Sequence, residues 1–175
     1  VRQVEALRRQ VETQASTLEQ LQKKIDDVLW FDRVGDVAEI DKVYIPTGPV
    51  PKQEETYGIA NARHPFRMWT YVFVPKGAEV AKKRPLLLLP HGGVHGDFGT
   101  YHAHIVRELM REGYVVVAPE YRGSTGYGRE YRELLNGQWG VVDVEDCVAA
   151  ATFLAERGDV DPERMAIRGG SAGGF

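Results

Sequence analysis

Apolar residues recur at alternating three- and four-residue intervals over about the first thirty residues. Val4, Leu7, Val11, Leu18, Leu21, Ile25 and Val28 occupy heptad a and d positions, and only Gln14 interrupts the series. The pattern predicts one amphipathic helix from Val1 to about Trp30, supported by the i,i+4 pairs Glu5–Arg9 and Glu19–Lys23. The flanking e and g positions (Gln3, Arg8, Gln10, Ala15, Thr17, Gln22, Lys24 and Leu29) are a poor set for interhelical salt bridges. Two packings stay open. The stripe lies on the chain's own domain, or it forms the coiled-coil seam of a homodimer.

Beyond Phe31 the periodicity changes. Asp41–Ile45 could be a strand, and Pro46–Pro51 reads as a loop. Arg67–Val74 is rich in aromatic and β-branched residues and predicts a strand that Pro75-Lys76-Gly77 ends. A Lys-rich stretch leads to Leu86–Leu89, a leucine run bounded by Pro85 and Pro90 and suited to a strand buried on both faces. Thr100–Glu112 predicts a helix with Ile105, Val106, Leu109 and Met110 on one face and Gly113 as its stop. Tyr114–Ala118 predicts a buried strand, Val144–Glu156 a helix ended by Gly158, and Arg164–Ile167 a last strand after the turn signal Asp161-Pro162-Glu163. This order predicts an α/β fold, a mostly parallel sheet with covering helices, preceded by the amphipathic helix. The expected division is residues 1–31 helix, 32–65 linker and extension, and 66–175 the sheet domain.

Composition narrows the function. The 175 residues are 43% hydrophobic and 27% charged, as in a globular protein. A net charge of −3 and a pI near 6.0 give no reason to expect nucleic acid or a membrane surface as partner. No apolar segment is long enough to span a bilayer. Cys147 is the one cysteine and, in an apolar helical stretch, reads as a small core residue. The chain starts with Val1 and both ends look cut, so cytoplasmic and exported locations both stay open.

Chemistry enters at Gly169-Gly170-Ser171-Ala172-Gly173, a G-x-S-x-G sequence following a short apolar run. It reads as the nucleophile elbow of an α/β-hydrolase, in which a serine on a tight strand-to-helix turn points its hydroxyl out of the sheet, with a Gly/Ser turn without chemistry as the alternative. Gly169 and Gly173 keep that turn free of side chains. Pro90-His91-Gly92-Gly93 follows the leucine strand, where such a fold places its oxyanion loop. Gly92 or Gly93 and Ala172 would supply the backbone N–H donors. In this fold the acid and histidine of the triad follow the serine, so both are expected outside the present sequence. His64, His91, His95, His102 and His104 all precede Ser171. His91 and His95 are expected to shape the oxyanion loop, His102 and His104 to sit on the next helix, and His64 in a loop. Asp143, Glu145 and Asp146 read as the acidic first turn of a helix.

Longer stretches carry a family resemblance. Glu120-Tyr121-Arg122-Gly123-Ser124-Thr125-Gly126-Tyr127-Gly128-Arg129, Gly137-Gln138-Trp139-Gly140, the Glu145-Asp146 helix start, Val160–Arg164 and Gly169–Gly174 together resemble the prolyl oligopeptidase (S9) family of serine peptidases. The His-Gly-Gly is similar to that of its acylaminoacyl-peptidase branch. The resemblance runs from about Pro85 to Phe175. It implies an α/β-hydrolase domain with Ser171 as nucleophile, oxyanion donors from Gly92-Gly93 and Ala172, and an Asp and a His further along the chain. Three positions depart from the family pattern: Val94 for proline, Glu120 for asparagine and Ala172 for tyrosine. The segment ahead of the hydrolase strands is too short for the β-propeller that members restricted to short peptides usually carry, at about 40–50 residues per blade. Arg122 reads as a structural arginine organising its loop, with substrate contact as the alternative. The expected function is Ser-His-Asp acyl transfer by a serine peptidase on a peptide or ester substrate. A carboxylesterase of the same fold and a non-catalytic hydrolase-like module with a helical interaction segment are the alternatives. No metal or organic cofactor is implied.

Overall fold

A computed structural model of the chain describes residues 1–48, 66–77, 83–93 and 95–175. The predicted loop beyond Gly48, His64 and Val94 lie outside the described residues. Helix α1 runs over Arg2–Val34, four residues past its predicted end, and its last N–H bond is Gly35 to the Phe31 carbonyl. The strands are β1 (Ala38–Pro46), β2 (Arg67–Pro75), β3 (Arg84–Leu88), β4 (Val115–Pro119) and β5 (Val160–Ile167). A 3-10 turn at Thr100–His102 leads into α2 (Ala103–Arg111). A short helix α3 (Arg129–Glu133), not foreseen from the sequence, precedes α4 (Val142–Arg157), and a 3-10 turn at Ser171–Gly174 closes the chain.

The five strands form one sheet in the order β1-β2-β4-β3-β5. β1 pairs antiparallel with β2, and β2 with β4, whereas β3 pairs parallel with both β4 and β5. The expectation of a mostly parallel sheet therefore holds for the half that carries the elbow. Asp161-Pro162-Glu163 does not precede β5 but lies within it. Between the pairs Arg84↔Val160 and Leu86↔Met165 a single residue of β3 stands against four of β5, and Glu163 N–H donates to Asp161 Oδ1 at 3.0 Å. The turn signal becomes a bulge.

Strand alternation sorts the core into two layers. Tyr71, Phe73, Leu87, Leu89, Val116 and Ala118 face α1 and α2, packing with Trp30, Val34, Val106 and Leu109. Met68, Val72, Leu86, Leu88, Val115 and Val117 face α4, packing with Ala150 and Leu154. Trp30 is fully buried in an aromatic cluster, 4.9 Å from the Phe73 ring centroid and 5.4 Å from that of Phe98. Cys147 is half-buried against the second layer, as expected, and burial pushes its thiol up to about 12. On the β5 side this layer is open. Met165, Ile167, Val148 and Phe175 are exposed and line a groove of about 520 Å³.

The docking of α1 corrects one of the two packings left open, that of the stripe on the chain's own domain. All seven apolar a and d residues are 50–68% exposed. The face that meets the sheet carries Glu19, Lys23, Asp26, Asp27, Trp30 and Val34, and it docks mainly through charged groups. The stripe was expected to be buried because apolar periodicity normally marks the inward face. Here Trp30 and Val34 supply the apolar contact and ion pairs supply the rest. Trp30→Ala is therefore expected to cost about 3–5 kcal/mol of stability, whereas the double variant Leu21→Asp, Ile25→Asp should stay within about 0.5 kcal/mol. Chemical denaturation compares the two. A large loss in the double variant would mean that the stripe is buried in solution.

Candidate active site

Three parallel strands deliver their C-terminal ends to one edge of the sheet. Leu88 pairs with Val117 on one side and Ile167 on the other. The ladder continues past the strand ends, with Leu89 N–H donating to Val117 O at 2.8 Å and Arg168 N–H to Leu88 O at 3.0 Å. The loops after β3 (Pro90 onward), β4 (Glu120 onward) and β5 (Arg168 onward) thus emerge together. This edge is where open α/β sheets hold ligands.

Ser171 follows β5 by four residues and has φ +54°, unique for a non-glycine among the described residues. A left-handed backbone at a residue with a Cβ costs on the order of 1–3 kcal/mol and persists only where its surroundings enforce it. Here they do. A methyl group on Gly169 would lie 1.7 Å from the Gly173 carbonyl oxygen, and one on Gly173 would lie 2.4 Å from Pro90 O. The turn closes with Gly173 N–H on Gly170 O at 3.0 Å. Ser171 itself is exposed.

The His-Gly-Gly loop lies directly against this turn. A methyl group on Gly92 would stand 2.9 Å from Gly170 O and 3.6 Å from Ser171 Cβ. Gly93 has φ +64°. The structure thus brings Ser171, Ala172, Gly92, Gly93, Gly169 and Gly173 into one cluster. Chemically, such a cluster offers an exposed hydroxyl with backbone amides close by.

The loop after β4 braces the His-Gly-Gly loop. Tyr121 OH donates to His91 O at 2.9 Å, Thr125 N–H to Gly96 O at 2.8 Å, and Phe98 N–H to the Glu120 carboxylate. His91 stacks on Tyr121 at 4.3 Å between ring centroids and holds Ser124 Oγ through Nε2 at 2.8 Å. Burial pushes the His91 pKa down to about 4, so its imidazole is neutral near pH 7. His95 donates from Nδ1 to Gly123 O at 2.9 Å. Both histidines shape the loop, as expected. His102 lies in the 3-10 turn and His104 in α2. Among the described residues no histidine nitrogen hydrogen-bonds to Ser171.

Arg122 is fully buried and structural. Its Nε lies 3.1 and 3.0 Å from the two Asp146 carboxylate oxygens, its Nη2 lies 2.8 Å from Asp146 Oδ1, and its own backbone N–H donates to Asp146 Oδ2 at 2.7 Å. Asp146 therefore does more than begin α4: it fixes the base of the Tyr-Arg-Gly loop. A second buried charge cluster was missed from the sequence altogether. Glu120 is fully buried, and its Oε2 lies 3.0 Å from Lys23 Nζ on α1. Burial alone would lower the Lys23 pKa, but Glu120 and Asp97 outweigh it and hold the ammonium above its ordinary value. The one available signal was Glu120 itself, a carboxylate where the resembled family has asparagine.

Residues 101–175 match the sequence model of the prolyl oligopeptidase family. The chain is 36% identical over 127 residues to an acylamino-acid-releasing enzyme of Arabidopsis thaliana, covering 72% of this chain and 16% of that protein. It is 38% identical over 116 residues to a probable dipeptidyl-peptidase 5 of Emericella nidulans, with 61% and 16% covered. Among solved structures, a Mycobacterium tuberculosis puromycin-hydrolyzing peptidase superposes with TM-score 0.63 at 36% identity, over 78% of this chain and 19% of that one. An acylaminoacyl peptidase of Pyrococcus horikoshii shares the fold, with TM-score 0.60 at 21% identity over 79% of this chain and 20% of that one. The chain spans 12–16% of the length of the first four curated relatives.

Two outcomes follow from the geometry. Gly169→Ala and Gly173→Ala should each prevent the elbow from forming, whereas Gly170→Ala, with nothing within 4 Å of the added methyl, should be tolerated. Yield and thermal melts of the three variants check this. For His91, the folded group is protonated only below about pH 4 and the unfolded one below about pH 6.5. The unfolded chain binds more protons between those values, so stability falls as pH drops through that window. The loss attributable to this residue is on the order of 3 kcal/mol. His91→Gln should flatten the stability–pH profile between pH 6.5 and 4. An unchanged slope would place the acid sensitivity elsewhere.

Proposed function

Because this chain belongs to the prolyl oligopeptidase family, we propose that it supplies the nucleophile and oxyanion side of a serine peptidase active site. The observation that carries the reading is the Ser171 turn, left-handed at a non-glycine residue and packed against Gly92. Ser171 Oγ attacks the substrate carbonyl carbon and passes its proton to a histidine. The tetrahedral oxyanion is held by the N–H groups of Ala172 and of Gly92 or Gly93. The leaving amine departs with the histidine's proton, and water then releases the acyl group from Ser171. The histidine and its acid partner come from outside these 175 residues. We assign the sheet, with β1 (Ala38–Pro46) as its edge strand, to the catalytic domain and α1 (Arg2–Val34) to a helix docked on it, so the expected boundary at residue 66 moves back to include β1.

The substrate class we propose is a small peptide or aminoacyl amide. Its support is that the relatives are named for acylamino-acid release, dipeptidyl-peptidase activity and puromycin hydrolysis. None of these names favours an ester-specific or a non-catalytic reading. The earlier expectation of a homodimer rests on the exposed a and d stripe of α1 alone.

A fluorophosphonate probe should label Ser171 in the full-length protein. Ser171→Ala should abolish labelling and reduce amide hydrolysis by about 10⁴-fold or more. Labelling that persists in Ser171→Ala would falsify the nucleophile assignment.

A further inference from the structure

We propose that Lys23 of α1 is a positioning residue for the His-Gly-Gly loop, setting the oxyanion donors against Ser171 from the far side of that loop. The proposal rests on the assignment of Ser171 and its oxyanion loop made above, and it concerns a residue outside the segment that matches the family. Lys23 Nζ donates to Asp97 Oδ2 at 2.9 Å and to Phe98 O at 2.9 Å, and it forms an ion pair with Glu120 Oε2 at 3.0 Å, an oxygen that has no hydrogen-bond donor of its own among the described residues. Two of these partners belong to the C-terminal end of the His-Gly-Gly loop and the third to the end of β4. One buried cation therefore joins the loop to the sheet.

The surroundings make the joint specific. The Lys23 side chain is 3% exposed and that of Glu120 is fully buried, so water cannot replace either partner. The second Glu120 oxygen accepts the Phe98 N–H and lies 3.9 Å from His91 Nε2, next to Gly92. Glu120 thus touches both ends of the loop, and Lys23 is the cation that stabilises a carboxylate there. The neighbouring turns of α1 reinforce the same contact. Glu19 accepts the Gly126 N–H, and Asp26 accepts both the Thr100 N–H at 3.0 Å and the Thr100 hydroxyl at 2.6 Å. With Lys23 removed, Glu120 would have to protonate or move, and Phe98, Asp97 and His91 would move with it. A displacement of about 1 Å at positioning groups can cost on the order of 10²-fold in rate.

The test uses full-length protein, with active sites counted by fluorophosphonate titration. Lys23→Met keeps the stem and removes the charge. It is expected to lower kcat per titrated site by roughly 10–100-fold, with KM changed less than about threefold. Affinity for a peptide trifluoromethyl ketone, which forms an oxyanion on Ser171, should fall in parallel. Adding Glu120→Gln removes the stranded carboxylate and should recover most of the loss. Asp97→Asn, at a partly exposed position, loosens the clamp without stranding a buried charge. It should lower kcat about threefold to tenfold, and it decides the matter if the Lys23 variants do not accumulate. A purely structural role would lower the melting temperature and leave kcat per titrated site unchanged. That result in Lys23→Met, or in Asp97→Asn where only that variant is obtained, overturns the proposal. Ser171→Ala keeps the two readings apart. If it remains active, the site assignment fails. If it is inactive while Lys23→Met turns over normally, only the positioning role fails.

Discussion

The parallel pairing of β3 with both of its neighbours is the constraint on which the site depends. A strand flanked on both edges and covered on both faces has no freedom to slip, because a one-residue shift would exchange Leu86 and Leu88 for Leu87 and Leu89 between the two core layers. That fixed register puts the ends of β4, β3 and β5 side by side. Loops that are far apart in sequence then begin within a few ångströms of each other. The short approach of Gly92 to Gly170 and Ser171 follows directly, and only glycine can occupy it.

What was legible in the sequence is what local patterning encodes. The leucine and valine runs marked β3 and β4, the Gly-x-Ser-x-Gly turn marked the end of β5, and the position of His-Gly-Gly after a strand marked the loop that meets it. Less legible were features set by distant partners. Asp146 looked like one of three acidic residues opening a helix, and nothing local distinguishes it from Asp143 or Glu145. Its pairing with Arg122 depends on how α4 crosses the sheet. Lys23 and Glu120 are separated by most of the domain. Each alone looks like a surface charge, and only their burial together explains both.

The first helix shows why apolar periodicity can mislead. Its a and d residues form a regular stripe, yet the domain accepts the face bearing Lys23, Asp26 and Asp27. Polar docking is workable because each charge meets a preformed partner: a carboxylate for the lysine, the Thr100 amide and hydroxyl for Asp26, and the Lys42 ammonium at 2.6 Å for Asp27. Trp30 and Val34 then supply the apolar burial at the helix end. A stripe of aliphatic residues could have been buried against many surfaces. A row of charges can be satisfied against only one, so the polar face specifies the docking position.

Buried ion pairs are weak evidence for stability, because desolvation opposes much of their attraction. Their value here lies in geometry. Arg122 with Asp146 fixes the base of the loop after β4, and Lys23 with Glu120 fixes the far end of the loop after β3. Both loops converge on the turn that holds Ser171 in its strained conformation. An apolar core could fill the same volume at less desolvation cost, but apolar contacts are non-directional and tolerate sliding. Directional, charge-assisted bonds do not, and a site that must hold a backbone amide in place beside a serine needs the second property more than the first.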